Sequence, residues 1–269
     1  MNYTGANVAI TGWSGFLGGA LAARLSDDYE ANVECLEGDV RDPFTFAGIT
    51  HETKYLFHFG APSSQVLFER NPAHCIDVTM KGFANALEAC KRTGTRLVFP
   101  STGILSSGRF NMYAKCKSLC EDMARGTDAI ALRIFATYGI GEKHKRDFAS
   151  VPYLFARSAS RGQHLTVFGD GSQTRDFIYV DDTVNTILRA AEEWDGGPLD
   201  VGSGTSVSFN EIIEHVSDHF PNVRTSYVHA PKGYVKETTA TTASHGLWEP
   251  QVSLEEGIAR VAEWLAGDI

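Results

Sequence analysis

The sequence lacks the features that mark a membrane, secreted or nucleic-acid-binding protein. No apolar run approaches the roughly 18 residues of a membrane span. The first residues show neither the basic segment nor the apolar core of a signal peptide. The formal net charge of −9 also argues against non-specific binding to nucleic acid or to an anionic membrane. We therefore expect a cytoplasmic protein that binds neither nucleic acid nor membranes.

The cysteines and histidines form no recognisable metal site. The five cysteines are scattered and include no Cys-x-x-Cys pair, and the nine histidines show no ligand spacing. An odd number of dispersed cysteines is typical of a reduced protein with free thiols. The sequence thus predicts neither a disulfide framework nor a structural or catalytic metal.

What the sequence does contain is an alternation of apolar strands and amphipathic helices. Short apolar runs at 7–11, 33–36, 55–59, 96–99 and 129–135 are separated by stretches with helical spacing. The third run is almost wholly apolar, as in strands that are buried on both faces of a parallel sheet. This alternation predicts an α/β fold, a Rossmann-type doubly wound parallel sheet in which the second βα unit is shortened.

The pattern of predicted strands and helices changes after Gly139, where a charged loop and shorter strands follow. We expect a dinucleotide-binding Rossmann domain over 1–137 plus 177–203, in which 177–180 forms one more strand of the large sheet. The remaining residues, 138–176 plus 204–269, are expected to form a smaller C-terminal α/β lobe that binds the substrate. No internal repeat, low-complexity tract or long linker interrupts the chain.

A glycine loop lies between the first predicted strand and the first predicted helix. Residues 12–18 read GWSGFLG, the spacing found where the pyrophosphate of a dinucleotide meets a helix N-terminus. The first glycine allows a tight turn, the second lets the pyrophosphate approach, and the third permits close helix packing. The helix adds free N–H groups and a partial positive charge. The predicted dinucleotide contacts in this loop are Gly12, Ser14, Gly15, Phe16 and Leu17.

The acidic partner of the adenosine ribose has no obvious position. Such a carboxylate usually lies about 20 residues after the loop, at the end of the second strand. This chain leaves little room for a full second strand and helix. Asp27, Asp28 and Glu30 are candidates, and each is equally well explained as a solvated loop charge. The choice between NAD and NADP stays open.

Tyr113 and Lys117 lie four residues apart in a predicted helix, so their side chains share one face. A free tyrosine has a pKa of about 10, and acting as a base near neutral pH requires a pKa about 3 lower, or about 4 kcal/mol. A nearby cation and an oxidised nicotinamide could supply much of that decrease. An amphipathic helix with a core tyrosine and a surface lysine is the ordinary alternative.

Hydroxyl groups follow a neighbouring predicted strand. The apolar run 97–99 ends in Pro100-Ser101-Thr102. In an open parallel sheet, ligands bind at the carboxyl ends of the strands. Thr102 is therefore placed to bind a substrate oxygen and to share its proton with the tyrosine. The glycine loop, the Tyr–Lys pair and these hydroxyls together indicate hydride chemistry on an alcohol or ketone.

With these pieces placed, the chain resembles the extended short-chain dehydrogenase/reductase family, in its nucleotide-sugar epimerase and dehydratase branch. The resemblance covers almost the whole length. It rests most specifically on residues 165–182, which read LTVFGDGSQTRDFIYVDD, together with the glycine loop and the Tyr–Lys pair. Further matching segments are 37–42, 58–61, 133–139, 200–204 and 247–250.

The resemblance implies a set of site residues, a cofactor and a substrate class. NAD is the implied cofactor, with NADP not excluded, and a nucleotide-diphosphate sugar is the implied substrate. The implied catalytic residues are Thr102, Tyr113 and Lys117. Beyond the glycine loop, the implied cofactor contacts are Asp39, Val40, Phe59, Gly60, Ala61, Ser101, Tyr113 and Lys117. The implied substrate contacts are Ser63, Thr102, Ser150, Val151, Val167, Phe168, Arg175 and Lys232.

Individual roles follow from the same resemblance. Arg175 would pair with the substrate diphosphate, because a guanidinium fork matches phosphate oxygens, whereas a surface ion pair is its ordinary alternative. Val167 and Phe168 would flank the nucleotide base. Ser150 and Val151 would offer backbone groups to the diphosphate-sugar.

Several positions depart from the pattern of the branch. Ala136 and Thr79 stand where the branch usually has asparagine. Gly103 and Ile104 replace the Asp-Glu pair that its dehydratases carry after the threonine. Lys232 takes the place of the usual arginine near the C-terminal glycine, and it would contact phosphate as a point charge.

Four functions share this scaffold, and the sequence favours one. An NAD(P)-dependent epimerase acting at sugar C4 through a transient keto intermediate needs only the tyrosine, a hydroxyl helper and a retained cofactor. A 4,6-dehydratase needs an additional acid and base, which the glycine and isoleucine after Thr102 do not supply. A keto-sugar reductase that exchanges NADPH stays open, as does a non-catalytic dinucleotide-binding protein.

The resemblance also implies a homodimer. The family often pairs through two helices from each subunit, which here correspond to 77–91 and 111–124. Phe83, Leu87 and Met123 are equally good candidates for the subunit interface and for the core.

Overall fold

The computed structural model describes residues 1–108, 110–230, 236–240 and 246–267. The chain divides into two compact units, Met1–Ile134 with Val184–Asp200 and Phe135–Thr183 with Val201–Ile269. The assignment of these units to dinucleotide and nucleotide-sugar binding stays a prediction. Among the described helices, none combines the length and the hydropathy that a membrane span requires.

Strands and helices alternate along the described chain. In order, they are β1 (Asn7–Thr11), α1 (Phe16–Asp27), β2 (Asn32–Leu36), β3 (Thr53–His58), α2 (Gln65–Arg70), α3 (Pro72–Thr93), β4 (Arg96–Thr102), α4 (Met112–Ala124), β5 (Ala129–Ile134), β6 (Ala136–Tyr138), α5 (Val151–Ser160), β7 (Leu165–Phe168), β8 (Thr174–Tyr179), α6 (Val180–Glu193), β9 (Leu199–Val201), β10 (Ser206–Ser208), α7 (Phe209–His219), β11 (Thr225–Val228) and α8 (Leu254–Gly267).

A six-stranded sheet organises the first unit, with strand order β2-β1-β3-β4-β5-β9. The neighbouring pairs from β2 to β5 are parallel. Their carboxyl ends therefore share one edge, which is where open α/β sheets bind ligands. Strand β2 lies on one side of β1, and β3 lies on the other side. The topological switch point, at which the direction of strand addition reverses, therefore lies beside β1. This arrangement confirms the predicted Rossmann-type fold.

The second βα unit is short, as predicted. Residues 28–31 alone connect α1 to β2, and between β2 and β3 the chain makes a single 3-10 turn at Pro43–Phe46. Asp42 caps this turn, because its side chain accepts a hydrogen bond from the backbone N–H of Phe44 at 2.9 Å. The strand beside β1 is therefore followed by a tight loop rather than by a long helix.

Large apolar side chains from α3 and the strands fill the core of the first unit. The rings of Phe83 and Phe99 lie 4.6 Å apart, and Leu87 is buried in the same cluster. Each such buried side chain stabilises the fold by about 1.5–3 kcal/mol relative to an exposed one. Phe83 and Leu87 are thus core residues of the single chain, whereas Met123 is exposed.

The second unit has two small sheets, with orders β10-β8-β6 and β11-β7. Strand β8 pairs with β6 and β10 and not with the large sheet. The prediction that 177–180 extends the large sheet is therefore wrong. Asp176 explains part of this arrangement, since its buried carboxylate accepts hydrogen bonds from the N–H groups of Ser203, Gly204 and Ala240 at 2.7, 2.9 and 3.0 Å.

Candidate active site

Helix α4 carries the Tyr–Lys pair, and a side-chain cap fixes its start. Asn111 accepts a hydrogen bond from the backbone N–H of Ala114 at 2.8 Å, and its amide donates to Gln65 at 2.8 Å. The helix thereby points the side chains of Tyr113 and Lys117 into the protein interior, where they are 7% and 4% exposed. A surface lysine on an ordinary amphipathic helix is therefore excluded.

Tyr113 and Lys117 both contact the carboxyl end of β4. The hydroxyl of Thr102 lies near the phenol of Tyr113 and acts to lower the pKa of that phenol. Thr102 also accepts the backbone N–H of Ile104 at 3.3 Å, which leaves its own proton for the phenolic oxygen. The ammonium of Lys117 donates to the carbonyl oxygen of Pro100 at 2.8 Å. The structure thus brings the three predicted catalytic residues together at the ligand-binding edge of the sheet.

Burial dominates the acidity of this cluster. It raises the pKa of Tyr113 to about 12, and the hydrogen bond with Thr102 acts in the opposite direction. Burial also lowers the pKa of Lys117. The ammonium lies 6.0 Å from the centre of the tyrosine ring. Positive charge placed closer to the phenolic oxygen would favour the phenolate.

Ser101 faces away from Thr102, because successive residues of a strand point to opposite faces. Its hydroxyl donates to Glu121 at 2.5 Å, and Glu121 also accepts from the guanidinium of Arg133 at 2.8 and 3.0 Å. The predicted cofactor contact of Ser101 stays a prediction and would have to use its main chain. Glu121 was missed by the sequence reasoning, although it continues the four-residue spacing that begins at Tyr113 and Lys117.

The glycine loop is packed too tightly for side chains at two of its glycines. A Cβ at Gly12, whose φ is +70°, would lie 2.5 Å from the carbonyl carbon and oxygen of Phe59. A Cβ at Gly18 would lie 2.2 Å from the carbonyl oxygen of Gly12. No side chain caps α1 at Gly15. The loop therefore holds the helix N-terminus close to the ends of β1 and β3.

A cavity of about 450 Å³ opens beside this loop, at the carboxyl ends of β1, β2 and β3. Its volume lies in the usual range of small-molecule sites, about 300–1,000 Å³. The residues that line it are Thr11, Gly12, Trp13, Ser14, Leu36, Glu37, Gly38, Asp39, Val40, Arg41, Gly60, His74 and Val78. The predicted contacts Gly12, Ser14, Asp39, Val40 and Gly60 are thus brought together.

The remaining predicted cofactor contacts lie near this cavity in sequence and outside its lining. Gly15, Phe16 and Leu17 continue the loop into α1, and Phe59 and Ala61 directly follow β3. The predicted substrate contact Ser63 is exposed in the loop after β3. Their roles stay predictions. The tight glycine turn, the uncapped helix start and the cavity together fit a dinucleotide, whose pyrophosphate binds at helix N-termini.

The three acidic candidates for the ribose lie at the wrong edge of the sheet. Helix α1 begins at the carboxyl edge and ends at the amino edge, so Asp27, Asp28 and Glu30 immediately precede the start of β2. None of them lines the cavity. These candidates are therefore wrong. Glu37 lines the cavity directly after β2 and was not among the candidates, although it lies about 20 residues after the glycine loop.

A buried histidine supports the start of the glycine loop. His58 Nδ1 lies 2.8 Å from the hydroxyl oxygen of Thr11, which also accepts the backbone N–H of Gly60 at 3.1 Å. Within the described residues, His58 Nε2 has no hydrogen-bond partner. Burial, assisted by the charge of Lys117, lowers the pKa of His58 from 6.5 to about 3.

We expect His58 to make the protein sensitive to acid. Its folded-state pKa lies below its ordinary value, so between about pH 3 and 6.5 the unfolded chain binds the extra proton. The free energy of unfolding should therefore decrease as the pH falls through this window. Urea unfolding at a series of pH values measures this, and His58→Asn should flatten the dependence. His51→Asn is the matched control, and equal pH dependence in all three proteins would contradict the prediction.

One of the predicted substrate contacts in the second unit, Ser150, already has hydrogen-bond partners within the protein. Glu142 is fully buried and accepts from the backbone N–H and the hydroxyl of Ser150 at 2.7 and 2.6 Å. The carbonyl of Ser150 accepts the N–H of Leu154 at 2.9 Å. The predicted backbone contact from Ser150 therefore has no free donor. Val151 is the first residue of α5, and its contact stays a prediction.

Strand β7 exposes only one of its two predicted base contacts. Val167 is fully buried, whereas Phe168 is 39% exposed. The side chain of Val167 faces the core, because alternate residues of a strand face opposite sides. Its predicted place beside the base stays a prediction. Arg175 donates to the carbonyl of Thr174 at 2.6 Å and lies 5.7 Å from the ring centre of Phe209. Lys232 lies outside the described residues.

Comparison with known proteins places this site in a family. The model of the NAD dependent epimerase/dehydratase family matches residues 8–202. The chain belongs to this family. Membership confirms the predicted family and its cofactor, NAD. It also accounts for the glycine loop and the parallel sheet, both of which lie within the matched residues.

Similar proteins agree with this placement. UDP-glucuronic acid decarboxylase 5 of Arabidopsis thaliana is 26% identical over 308 aligned positions, which cover 95% of this chain and 88% of that protein. The structure of UDP-N-acetylglucosamine 4-epimerase from Methanobrevibacter ruminantium M1 has a TM-score of 0.90 and 22% identity, with 99% and 100% of the two chains covered. UDP-glucose 4-epimerase from Thermotoga maritima, solved with UDP-glucose, has a TM-score of 0.86, 25% identity, and coverage of 97% and 99%.

Proposed function

We propose that the protein is an NAD-dependent nucleotide-sugar epimerase that inverts the sugar at C4 through a transient keto intermediate. The observation that carries this proposal is the buried Tyr113, which lies near Thr102 at the edge of the sheet that also bears the glycine-lined cavity. Family membership and the likeness to a UDP-glucose 4-epimerase support it.

Each residue of the cluster has a distinct task in this proposal. When bound, NAD would supply reversible hydride acceptance at the sugar carbon. Tyr113 removes the proton of the sugar hydroxyl as the carbon is oxidised and gives it back on reduction. Thr102 donates a hydrogen bond to the phenolic oxygen and thereby stabilises the phenolate. Lys117, with one N–H on Pro100, keeps further donors for the ribose of the cofactor.

Decarboxylation of a nucleotide-linked uronic acid is the second candidate. The likeness to UDP-glucuronic acid decarboxylase 5 over 95% of this chain favours it. Both reactions begin with oxidation at C4, so the same tyrosine serves either. A ketone at C4 leaves the carboxylate of a uronic acid in the β position, so carbon dioxide can depart and leave an enolate. The enolate takes up one proton from water at C5, and the ketone at C4 is then reduced, so no further acid–base pair in the protein is needed. The glycine and isoleucine that argue against dehydration therefore do not argue against this loss.

Product analysis tests the proposal. The purified protein is incubated with NAD and, separately, UDP-glucose, UDP-N-acetylglucosamine and UDP-glucuronic acid. We expect conversion of at least one sugar to an epimer of equal mass, with C4 inverted by nuclear magnetic resonance. Loss of carbon dioxide from the uronic acid would support the second candidate instead. Loss of water would indicate a dehydratase, and no turnover of any sugar, despite bound NAD, would indicate a binding protein.

Arg175→Ala should raise the apparent KM by about tenfold to hundredfold and leave kcat nearly unchanged. A charged hydrogen bond to a phosphate is worth about 1.5–3 kcal/mol, and a contact present in both ground and transition states affects KM alone. Initial rates over a range of nucleotide-sugar concentrations measure both constants. Arg157→Ala is a matched control, because Arg157 pairs with Asp147 in the same unit. A fall in kcat at constant KM would contradict the assigned role.

A homodimer in the cytoplasm, acting in carbohydrate biosynthesis, completes the proposal. Helix α4 supports the dimer, because its exposed apolar residues Met112, Leu119 and Met123 share one face. Pairing of this face would remove it from water. Phe83 and Leu87 do not contribute, since both are buried within the single chain.

A further inference from the structure

Glu121 lies on the same face of α4 as the Tyr–Lys pair, because it follows Lys117 by four residues and Tyr113 by eight. Its side chain is only 7% exposed, and it accepts a hydrogen bond from the hydroxyl of Ser101 at 2.5 Å. Ser101 directly precedes Thr102 at the end of β4. The contact therefore joins the helix that carries the tyrosine to the strand that carries the threonine.

Arg133 completes this contact from the neighbouring strand, β5. It is the register partner of Ser101, so the two side chains point to the same face of the sheet. Oε1 of Glu121 accepts from both the hydroxyl of Ser101 and the Nε of Arg133, and Oε2 accepts from Nη2 of Arg133 at 2.8 Å. One carboxylate thus links α4, β4 and β5.

A second carboxylate also acts on Arg133. The hydrogen bonds with Glu121 raise the pKa of Arg133, and the negative charge of Asp200, on β9, acts in the same direction. Asp200 is 4% exposed and accepts a hydrogen bond from the hydroxyl of Ser106 at 2.7 Å. Ser106 lies in the 3-10 turn that directly follows Thr102. The chain is therefore held by a buried carboxylate both before and after the threonine.

A largely buried ion pair of this kind is better suited to fixing positions than to raising stability. The attraction between two buried charges is offset by the free energy of removing them from water, so apolar residues of similar volume can often replace such a pair without loss of stability. Catalysis depends more strongly on position, because a displacement of about 1 Å can lower a rate by about a hundredfold.

We infer that Glu121 and Arg133 are positioning residues, whose ion pair sets the distance between the phenol of Tyr113 and the hydroxyl of Thr102. This inference rests on the proposed function, in which Thr102 stabilises the phenolate. The pair acts through Ser101 on the strand and through the backbone of α4 on the helix. Tyr113 remains the group that moves the proton.

Replacement of the ion pair by two methionines separates position from stability. In the double variant Glu121→Met, Arg133→Met, the side chains keep similar lengths, so the melting temperature and the NAD affinity should stay close to those of the wild type. With the nucleotide sugar that the wild type converts, kcat should fall about tenfold to hundredfold, and the apparent KM should stay within about threefold. Arg24→Met is the matched control, because Arg24 is a partly buried arginine of the same unit that pairs with Asp28 at 2.8 Å. It should keep the wild-type kcat.

A double-mutant cycle with Thr102→Val shows whether the pair acts through the threonine. The effects of groups that act as a unit do not add. In the Thr102→Val background, the two methionines should therefore lower kcat by less than about a further threefold. A wild-type kcat in the double variant, or losses that add in full in the Thr102→Val background, would overturn the inference.

Crystal structures of the wild type and the double variant make the test independent of turnover. The distance from Tyr113 Oη to Thr102 Oγ1 should increase by at least about 0.5 Å in the double variant, which is the tolerance of a catalytic constellation. An unchanged distance would overturn the inference. If the double variant fails to fold, Glu121→Gln is measured in its place, because it keeps an acceptor for Ser101 and loses the charge that holds Arg133. A wild type that converts no sugar would refute the proposed function, and the distance would still decide the inference.

Discussion

Tyr113→Phe is expected to lower kcat by about 10²- to 10⁴-fold, the usual contribution of a positioned acid–base group. The substitution removes only the phenolic oxygen, and the ring can keep its packing against Phe68, whose centre lies 5.5 Å away. NAD affinity should therefore stay close to that of the wild type. Steady-state rates with the identified sugar, together with a calorimetric NAD titration, measure the two effects separately.

A matched substitution shows whether the loss is specific. Tyr55 is another buried tyrosine of the same unit and lies on β3, away from Thr102. Tyr55→Phe should keep near-normal turnover. Turnover of Tyr113→Phe within about threefold of the wild type, well below the expected contribution, would rule out the phenol as the acid–base group.

Gly18→Ala is expected to destroy cofactor binding and to destabilise the fold. The added Cβ would lie 2.2 Å from the carbonyl oxygen of Gly12, so the turn and α1 must separate. Overpacking of this kind costs about 1–3 kcal/mol of stability. Separation also moves the helix N–H groups away from the pyrophosphate, so NAD affinity should fall by at least about a hundredfold, or about 2.7 kcal/mol.

An unstrained glycine provides the control for this change. A Cβ at Gly197, in the same unit, would meet no atom within 4 Å. Gly197→Ala should therefore change stability by less than about 0.5 kcal/mol and leave NAD binding unaffected. Urea unfolding and NAD titration of both variants give the comparison. Wild-type NAD affinity in a folded Gly18→Ala protein would refute the role of close packing in this loop.

The parts of the site that depend on local spacing could be predicted from the sequence. The glycines at 12, 15 and 18 follow an apolar strand, and the four-residue spacing of Tyr113 and Lys117 puts them on one helix face. Both patterns are short, and their meaning does not depend on which distant segments pair. The structure accordingly brings Tyr113, Lys117 and Thr102 together.

The ribose carboxylate could not be predicted in the same way. Its position depends on which strand lies beside β1. Because the connection at 28–31 is short, the sequence indicates Asp27, Asp28 and Glu30 as candidates. In the fold, these acids lie at the amino edge, and Glu37 follows β2 at the opposite edge. Pairing between strands, which no local pattern reveals, therefore determines which acidic residues lie beside the cavity.

The same limit explains the errors in the second unit. The apolar end of strand β8 would suit either sheet, and its pairing with β6 and β10 places it outside the large one. Ser150 directly precedes a helix, a position that suits a phosphate contact. Its backbone N–H, however, donates to Glu142 in the preceding loop. Tertiary hydrogen bonds of this kind are invisible to sequence periodicity.

The hydrogen on C4 of the sugar provides the most direct test of the central claim. The identified nucleotide sugar is labelled with deuterium at C4 and incubated in ordinary water with the NAD-loaded protein. If Tyr113 moves only the hydroxyl proton while the carbon-bound hydrogen leaves and returns within the site, the epimer should retain its deuterium at C4. An epimer that carries hydrogen from water at C4 would contradict the mechanism.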